Sequence, residues 1–240
     1  MTRIADVQVI DASRTVVPGE RDLGRNVRAL ERQVRQHFAP AWGIGVELEL
    51  LPRGRASRIR RDAWTLVILD DEESADADGW HDLSPHGQPL GKVLAKEAMA
   101  DSREWTSTAS HELLEMLVDP DIALGSAATV EGHARQYAYE VCDAVQSNAC
   151  RYEVSGVRVS DFVYPSWFEG FRARGTRFDQ AGKCKRPLHV LPGGYAIIAH
   201  VDGSRGWHEL WPERARRPRL HGSRRARRIK DRRHWRKSAP

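Results

Sequence analysis

Residues 110–121 run Ser-His-Glu-Leu-Leu-Glu-Met-Leu-Val-Asp-Pro-Asp, and this stretch carries most of the information about fold and function. Its leucines recur at helical spacing, which predicts a helix with a buried apolar side. His111 and Glu115 lie four residues apart, so both side chains project from one face of that helix and can reach a single ion. Because Pro120 has no amide hydrogen and disfavours helical backbone at Asp119, the helix is expected to end there.

The motif within this stretch is His-Glu-x-x-Glu. It resembles the His-Glu-x-x-His motif of the zincin metallopeptidases, with Glu115 in the place of the second histidine. The resemblance implies that His111 and Glu115 bind a divalent ion and that Glu112 is the general base. Such an ion makes water more acidic, and a nearby carboxylate accepts the proton. Asp121 lies ten residues after His111, which is the spacing of the third ligand in the metzincin branch.

A closer resemblance is to a group of bacterial and phage proteins that carry Ser-His-Glu-x-x-Glu-x-x-x-Asp-Pro and, further along, Glu-x-x-Asp. The second motif here is Glu140-Val141-Cys142-Asp143, and the Val-Ser-Asp-Phe-Val stretch at 159–163 matches the same group. The likeness covers roughly residues 60 to 200. It implies a zincin-like fold and peptidase activity.

Beside the motif, the candidate metal ligands are four further carboxylates: Asp119, Asp121, Glu140 and Asp143. Only one of Asp119 and Asp121 is expected to bind the ion. The alternatives for Asp119 are a turn at the helix end or support of His111 from behind. Glu140 and Asp143 face one ion if they share a helical turn; otherwise they cap or solvate a loop. The motif favours zinc, while so many oxygen ligands also admit calcium or manganese.

Residues 79–91 contain His81 and His86 among several turn-forming residues. We predict an irregular segment at the edge of a sheet, where both histidines could line a substrate cleft; surface positions are the commoner alternative for histidine. Tyr139 and Tyr164 could stabilise a developing oxyanion. Their alternative role is packing.

Apolar patterning predicts an α+β fold, in which a zincin-like mixed sheet packs on a backing helix and an active-site helix. Strands are expected at 7–10, 46–50 and 64–69, and helices at 22–38 and near 103–119. Alternating residues around turn-forming residues predict hairpins at 152–163 and at 188–201, the second with Pro-Gly-Gly as its turn.

The chain has 240 residues, and its charge is distributed unevenly. Residues 213–240 carry 13 Lys or Arg and 2 Asp or Glu, while residues 1–212 have a net charge of −6. We therefore expect a metal-binding domain over 1–212 and a basic, disordered tail over 213–240. The sequence has no apolar stretch long enough for a membrane span and no signal-peptide core, which predicts a cytoplasmic protein whose three cysteines are reduced.

The function expected from these features is metal-dependent hydrolysis of peptide bonds in a peptide or protein substrate. One alternative is a non-catalytic, metal-stabilised structural or interaction protein of phage or bacterial type. The other is binding to nucleic acid, or to an acidic partner, through the basic tail, since clustered arginines neutralise phosphates without reading sequence.

Overall fold

The computed structural model of the chain describes residues 3–14, 20–70, 78–100, 104–170 and 173–212. Within these ranges the protein is α+β, as the sequence predicts, with a five-stranded sheet A, a four-stranded sheet B and one separate hairpin. The predicted basic tail, 213–240, lies outside the described residues. None of the described helices is both long enough and apolar enough to span a bilayer.

The strands are β1 Arg3–Asp11, β2 Ile44–Leu51, β3 Trp64–Leu69, β4 Gly79–Leu83, β5 Pro89–Leu94, β6 Gly125–Val130, β7 His133–Ala138, β8 Tyr152–Val154, β9 Val157–Val159, β10 Ala196–His200 and β11 His208–Leu210. The helices are α1 Glu20–Gln33, α2 Ala39–Trp42, α3 Ala95–Ala100 and α4 Trp105–Val118. A π-helical segment, Val34–Phe38, joins α1 to α2.

Sheet A has the strand order β2-β1-β3-β5-β4. Its first four strands are parallel, and the edge strand β4 runs antiparallel to β5. Parallel neighbours require a crossover connection, and α1 with its continuation supplies the one between β1 and β2. The helix predicted at 22–38 is confirmed by this continuous helical segment. Gly43 ends it with a left-handed φ of 69°.

The motif helix α4 packs under β3, β4 and β5 of sheet A and touches α1 and β9. The predicted helix near 103–119 is therefore confirmed, as is the hairpin within 152–163, which is β8–β9. Sheet B, in the order β11-β10-β7-β6, is antiparallel throughout and contributes Tyr137 and Ile198 to the same buried core.

Two local predictions are wrong. The predicted edge position of residues 79–91 is confirmed, because β4 is the edge strand of sheet A, but the segment is not irregular: it contains most of an antiparallel hairpin, β4–β5, whose side chains pack on α4. Residues 188–201 do not pair with each other; instead β10 pairs with β7 and β11, and the Pro-Gly-Gly segment packs against residues 143 and 144. In both cases contacts distant in sequence decide the structure, and local turn signals are a poor guide to them.

Candidate metal centre

Helix α4 is buried on nearly all sides, although it carries three charged or titratable side chains. Glu112 and Glu115 are only 6% and 4% exposed, whereas a solvated charged helix would leave both carboxylates in water. His111 is the one α4 residue outside the buried class. Because an unpaired buried carboxylate costs several kcal/mol, the partners of these groups decide what this helix does.

The first group of partners surrounds His111. Its Nε2 lies 3.2 Å from Glu115 Oε1 and 3.3 Å from Asp143 Oδ1. The amide of Cys142 donates a hydrogen bond of 3.1 Å to the same Glu115 oxygen. The donor atoms of His111, Glu115 and Cys142 all lie within 4.8 Å of one another. One histidine, two carboxylates and a thiol thus meet beside the middle of α4.

The second group surrounds His81, which projects from the edge strand β4. His81 Nδ1 lies 3.7 Å from Glu112 Oε2 and 3.7 Å from Glu115 Oε2. Its Nε2 lies 3.7 Å from Glu140 Oε2, is buried, and makes no hydrogen bond within the described residues. The two oxygens of Glu115 therefore face different histidines, with Oε1 toward His111 and Oε2 toward His81.

Gly79 allows the β4–β5 hairpin to lie this close to α4. A Cβ on Gly79 would lie 2.7 Å from Thr108 Cγ2 and 2.9 Å from Glu112 Oε1. Both distances are shorter than a real side chain tolerates, so the absence of a side chain at this position lets His81 reach the carboxylates of α4. On the neighbouring strand, a Cβ on Gly91 would lie 2.8 Å from Leu66 Cδ1 of β3 and at an ordinary 3.6 Å from Glu112 Cβ.

Asp143 is held by the loop 191–195, which leads into β10 of sheet B. The backbone oxygen of Asp143 accepts a hydrogen bond of 3.1 Å from the amide of Tyr195, and that of Ala144 accepts one of 3.0 Å from Leu191. The Tyr195 side chain also interacts with the Asp143 carboxylate. Gly194 fits against these backbone oxygens because it has no Cβ. The loop thereby fixes the direction of Asp143 and brings a tyrosine to the centre.

Burial and mutual charge shift the ionisation of the whole cluster. Burial, with Glu115 and Asp143 nearby, raises the pKa of Glu140 to about 8, although His81 acts against this. Burial and the neighbouring Glu115 raise the pKa of Asp143 to about 7. Burial lowers the pKa of His81, but the interactions with Glu112, Glu140 and Glu115 raise it to about 9. Near neutral pH the metal-free cluster therefore retains protons that offset its negative charge.

The donor set fits a divalent ion. Two ligand atoms about 2.0 Å from a tetrahedral zinc ion lie about 3.3 Å apart, and His111 Nε2 lies close to that separation from Glu115 Oε1 and from Asp143 Oδ1. Cys142 Sγ is the third atom of the group that lies within 4.8 Å of both His111 and Glu115 donors. The unpaired Nε2 of His81, opposite Glu140, is consistent with the tautomer that leaves Nδ1 free to bind an ion. Imidazole and carboxylate together suit zinc and manganese better than calcium, which takes only oxygen.

The sequence-predicted residues divide into two sets. His111, Glu112, Glu115, Glu140 and Asp143 come together around the two histidines. Asp119 is fully buried, but its Oδ1 accepts hydrogen bonds from the amides of Ala123 and Leu124, so it closes the turn after α4. Asp121 is exposed and does not belong to either group of converging donors within the described residues.

Three residues of the centre were not among the predicted ligands. His81 is buried in the cluster, while His86 is exposed on the turn between β4 and β5. Cys142 lies inside the Glu-x-x-Asp motif, which is the signal that could have indicated it. The tyrosine beside the cluster is Tyr195. Of the two tyrosines considered from sequence, Tyr139 packs on aromatic rings and Tyr164 bonds Gln180.

Comparisons of the chain with family models, with curated proteins and with solved structures find no match, so the interpretation of this centre depends on its geometry.

Proposed function

We propose that the protein is a divalent-metal-dependent hydrolase of the zinc-peptidase type. The observation that carries the proposal is the convergence of two histidines and four carboxylates. Each of the four carboxylate side chains is at most 10% exposed. These residues are His81, His111, Glu112, Glu115, Glu140 and Asp143. Four carboxylates in a protein core are compensated either by retained protons or by a bound cation, and a cation can bind only where donor atoms converge as they do here.

A purely structural ion-pair cluster explains this composition poorly. With both histidines protonated and all four carboxylates ionised the net charge would be −2, and the metal-free protein avoids it only by keeping protons on Glu140 and Asp143. The described residues offer the cluster no Lys or Arg ion pair. Apolar residues of similar volume would serve the fold at least as well, because buried ion pairs seldom add stability. The arrangement is therefore better explained by a bound ion than by a need for stability.

Zinc is the ion we propose, held by His111 Nε2, Glu115 Oε1 and Asp143 Oδ1. When bound, it would supply Lewis-acid activation of water and of a carbonyl group. Glu112 is the acid–base group, which takes a proton from water and returns it to the leaving amine. Tyr195 donates a hydrogen bond to the Asp143 carboxylate and so helps to orient this proposed ligand.

A peptide is the substrate class that best suits the surroundings. β4 is the edge strand of sheet A and carries His81 into the centre. An extended peptide can pair with an edge strand through its main chain, whatever its side chains are. This position beside a motif helix, under a mixed sheet with an antiparallel edge, supports the zincin-like architecture that the His-Glu-x-x-Glu motif implies.

The proposal is tested by metal analysis and peptide hydrolysis with paired variants. Purified without chelator, the wild type is expected to contain zinc, and His111→Ala with Glu115→Ala to lose it. Glu112→Gln should keep the zinc at His111 and lose hydrolysis of an unstructured peptide library. Glu153→Gln, which changes an exposed glutamate on β8, is the matched control and should behave as wild type.

Two results would contradict the proposal. Folded wild-type protein that binds no zinc, manganese or calcium would reduce the centre to a cluster of protonated acids. Undiminished hydrolysis by Glu112→Gln would remove Glu112 from its role as the acid–base group.

A further inference from the structure

We propose that the centre has two ion positions bridged by Glu115, the second formed by His81 Nδ1, Glu112 Oε2 and Glu115 Oε2. The inference rests on the metal site of the proposed function and extends it. The donor atoms of His81, Glu112 and Glu115 lie within 4.8 Å of one another, separately from the group around His111. Each group contains a histidine, and only Glu115 belongs to both.

The orientation of Glu115 is the first argument. Its Oε1 faces His111 and its Oε2 faces His81, so the carboxylate extends between the two groups. A carboxylate that presents one oxygen to each of two ions is the usual bridge in two-metal hydrolytic sites, whose ions lie about 3.5–4 Å apart. A centre for one ion needs only the oxygen that faces His111.

His81 supplies the second argument, because one of its two ring nitrogens has no hydrogen-bond partner within the described residues. The side chain is 7% exposed, and its Nε2 is buried without a hydrogen bond within the described residues. With the proton on Nε2, directed toward Glu140, the lone pair of Nδ1 points between Glu112 and Glu115. Glu140 is then a positioning residue, since it fixes the tautomer of His81 and contacts no ion itself.

Formal charge gives the third argument. Glu115 and Asp143 balance one divalent ion at His111. Glu112 and Glu140 remain, and they balance a second divalent ion next to a neutral His81. Two ions thus balance the formal charge of all four carboxylates, with Glu140 acting through His81, whereas a single ion leaves a net charge of −2 beside a neutral His81.

Occupation of the second position has a consequence for the first. With Oε2 held by a divalent ion, Glu112 becomes a much weaker base for the proton of water. The chain with one ion is therefore the hydrolytic form, and filling the position at His81 suppresses hydrolysis. Metal supply then regulates the activity through a residue of the edge strand.

The experiment has two parts. Zinc is titrated into protein that has been stripped with a chelator, and binding is followed by calorimetry; the refilled protein is then studied by X-ray absorption at the zinc edge. Wild type should bind two zinc ions per chain, and the absorption data should show a zinc–zinc distance of about 3.5–4 Å. His81→Ala should bind one ion, and His111→Ala should lose the ion of the position that contains His111. His86→Ala, on the exposed β4–β5 turn, should bind two ions.

Glu140→Gln separates the positioning role from a structural one. It should weaken the second binding step at least tenfold, in line with losses typical of groups that orient a ligand, and leave the first step unchanged. His81→Gln repeats the test of His81 if His81→Ala does not fold. Wild type that binds one ion, with the same affinity in both His81 variants, would overturn the second position and leave the proposed function intact. Wild type that binds no ion would overturn both.

Discussion

The substitution Gly194→Ala tests whether the loop that leads into β10 positions Asp143, the proposed metal ligand. A Cβ at position 194 would lie 2.5 Å from the backbone oxygen of Ala144 and 2.6 Å from that of Asp143. Ordinary contact begins at 3.4 Å, so the two segments must separate by about 0.9 Å. Neither obstacle is a flexible side chain, so the strain must be relieved by movement of the backbone that carries Asp143.

Forced separation of this kind costs about 1–3 kcal/mol. For a chain of this size each kcal/mol lowers Tm by about 2–4 °C. A ligand has to stay within about 0.5 Å of its productive position, so a shift of about 0.9 Å should also weaken zinc binding at least tenfold. Thermal unfolding and chelator competition measure the two effects on the same protein.

Gly206→Ala is the matched control, because a Cβ there would meet nothing within 4 Å and its φ is not left-handed. It should leave both Tm and zinc affinity unchanged. If Gly194→Ala also left both unchanged, the loop would not press on the Asp143 turn as described. A lower Tm with full zinc affinity would show that the loop supports the fold without positioning Asp143.

Two predictions concern pH. The pKa of His81 is raised to about 9 and that of Glu140 to about 8, so the folded metal-free protein holds protons that zinc must displace. Zinc affinity should therefore rise from pH 6 to pH 8. Calorimetry in buffers of different ionisation enthalpy measures the protons that are released. Burial and the adjacent Asp179 raise the pKa of Asp161 to about 8, so its contribution favours the folded state at low pH and is lost as pH rises toward 8. Asp161→Asn should therefore flatten the fall in Tm between pH 6 and 9, whereas Asp62→Asn, at an exposed site, should not; equal slopes in both variants would contradict the assignment.

The local part of the centre could be predicted from sequence, and the long-range part could not. His111 and Glu115 follow from helical spacing, because the geometry of one helix relates them. Asp119 and Asp121 could not be separated, since the chain leaves the helix between them; only the structure shows Asp119 turned inward to bond two amides. Glu140 and Asp143 were candidates by motif, but a loop, and no shared helical face, brings them to the centre.

His81 illustrates why the rest of the centre was hidden. Its strand was predicted as an irregular segment, because Gly79, Ser84 and Gly87 are turn formers when considered locally. In the structure Gly79 has a different purpose: it allows the hairpin to approach α4 more closely than any side chain would permit. A glycine required for close packing between distant elements has the same local pattern as a glycine required for a turn, and one sequence alone does not distinguish them.

A function for the centre is the simplest explanation of why α4 buries two glutamates among its apolar residues. The apolar residues of that helix favour burial, while its two glutamates favour water, and the fold buries both. A sequence that serves stability alone would resolve the conflict by replacing Glu112 and Glu115 with apolar residues. Here the surrounding elements add further buried polar groups, because β4 contributes a histidine and the loop after β7 contributes two more carboxylates. Each addition costs stability in the metal-free protein. His81 and Asp143 face the two proposed ion positions, and Glu140 faces the ring nitrogen of His81 that is directed away from them. A pair of divalent ions balances the charge of the whole cluster, which is the reason we favour a two-ion centre over any account in which these charges only support the fold.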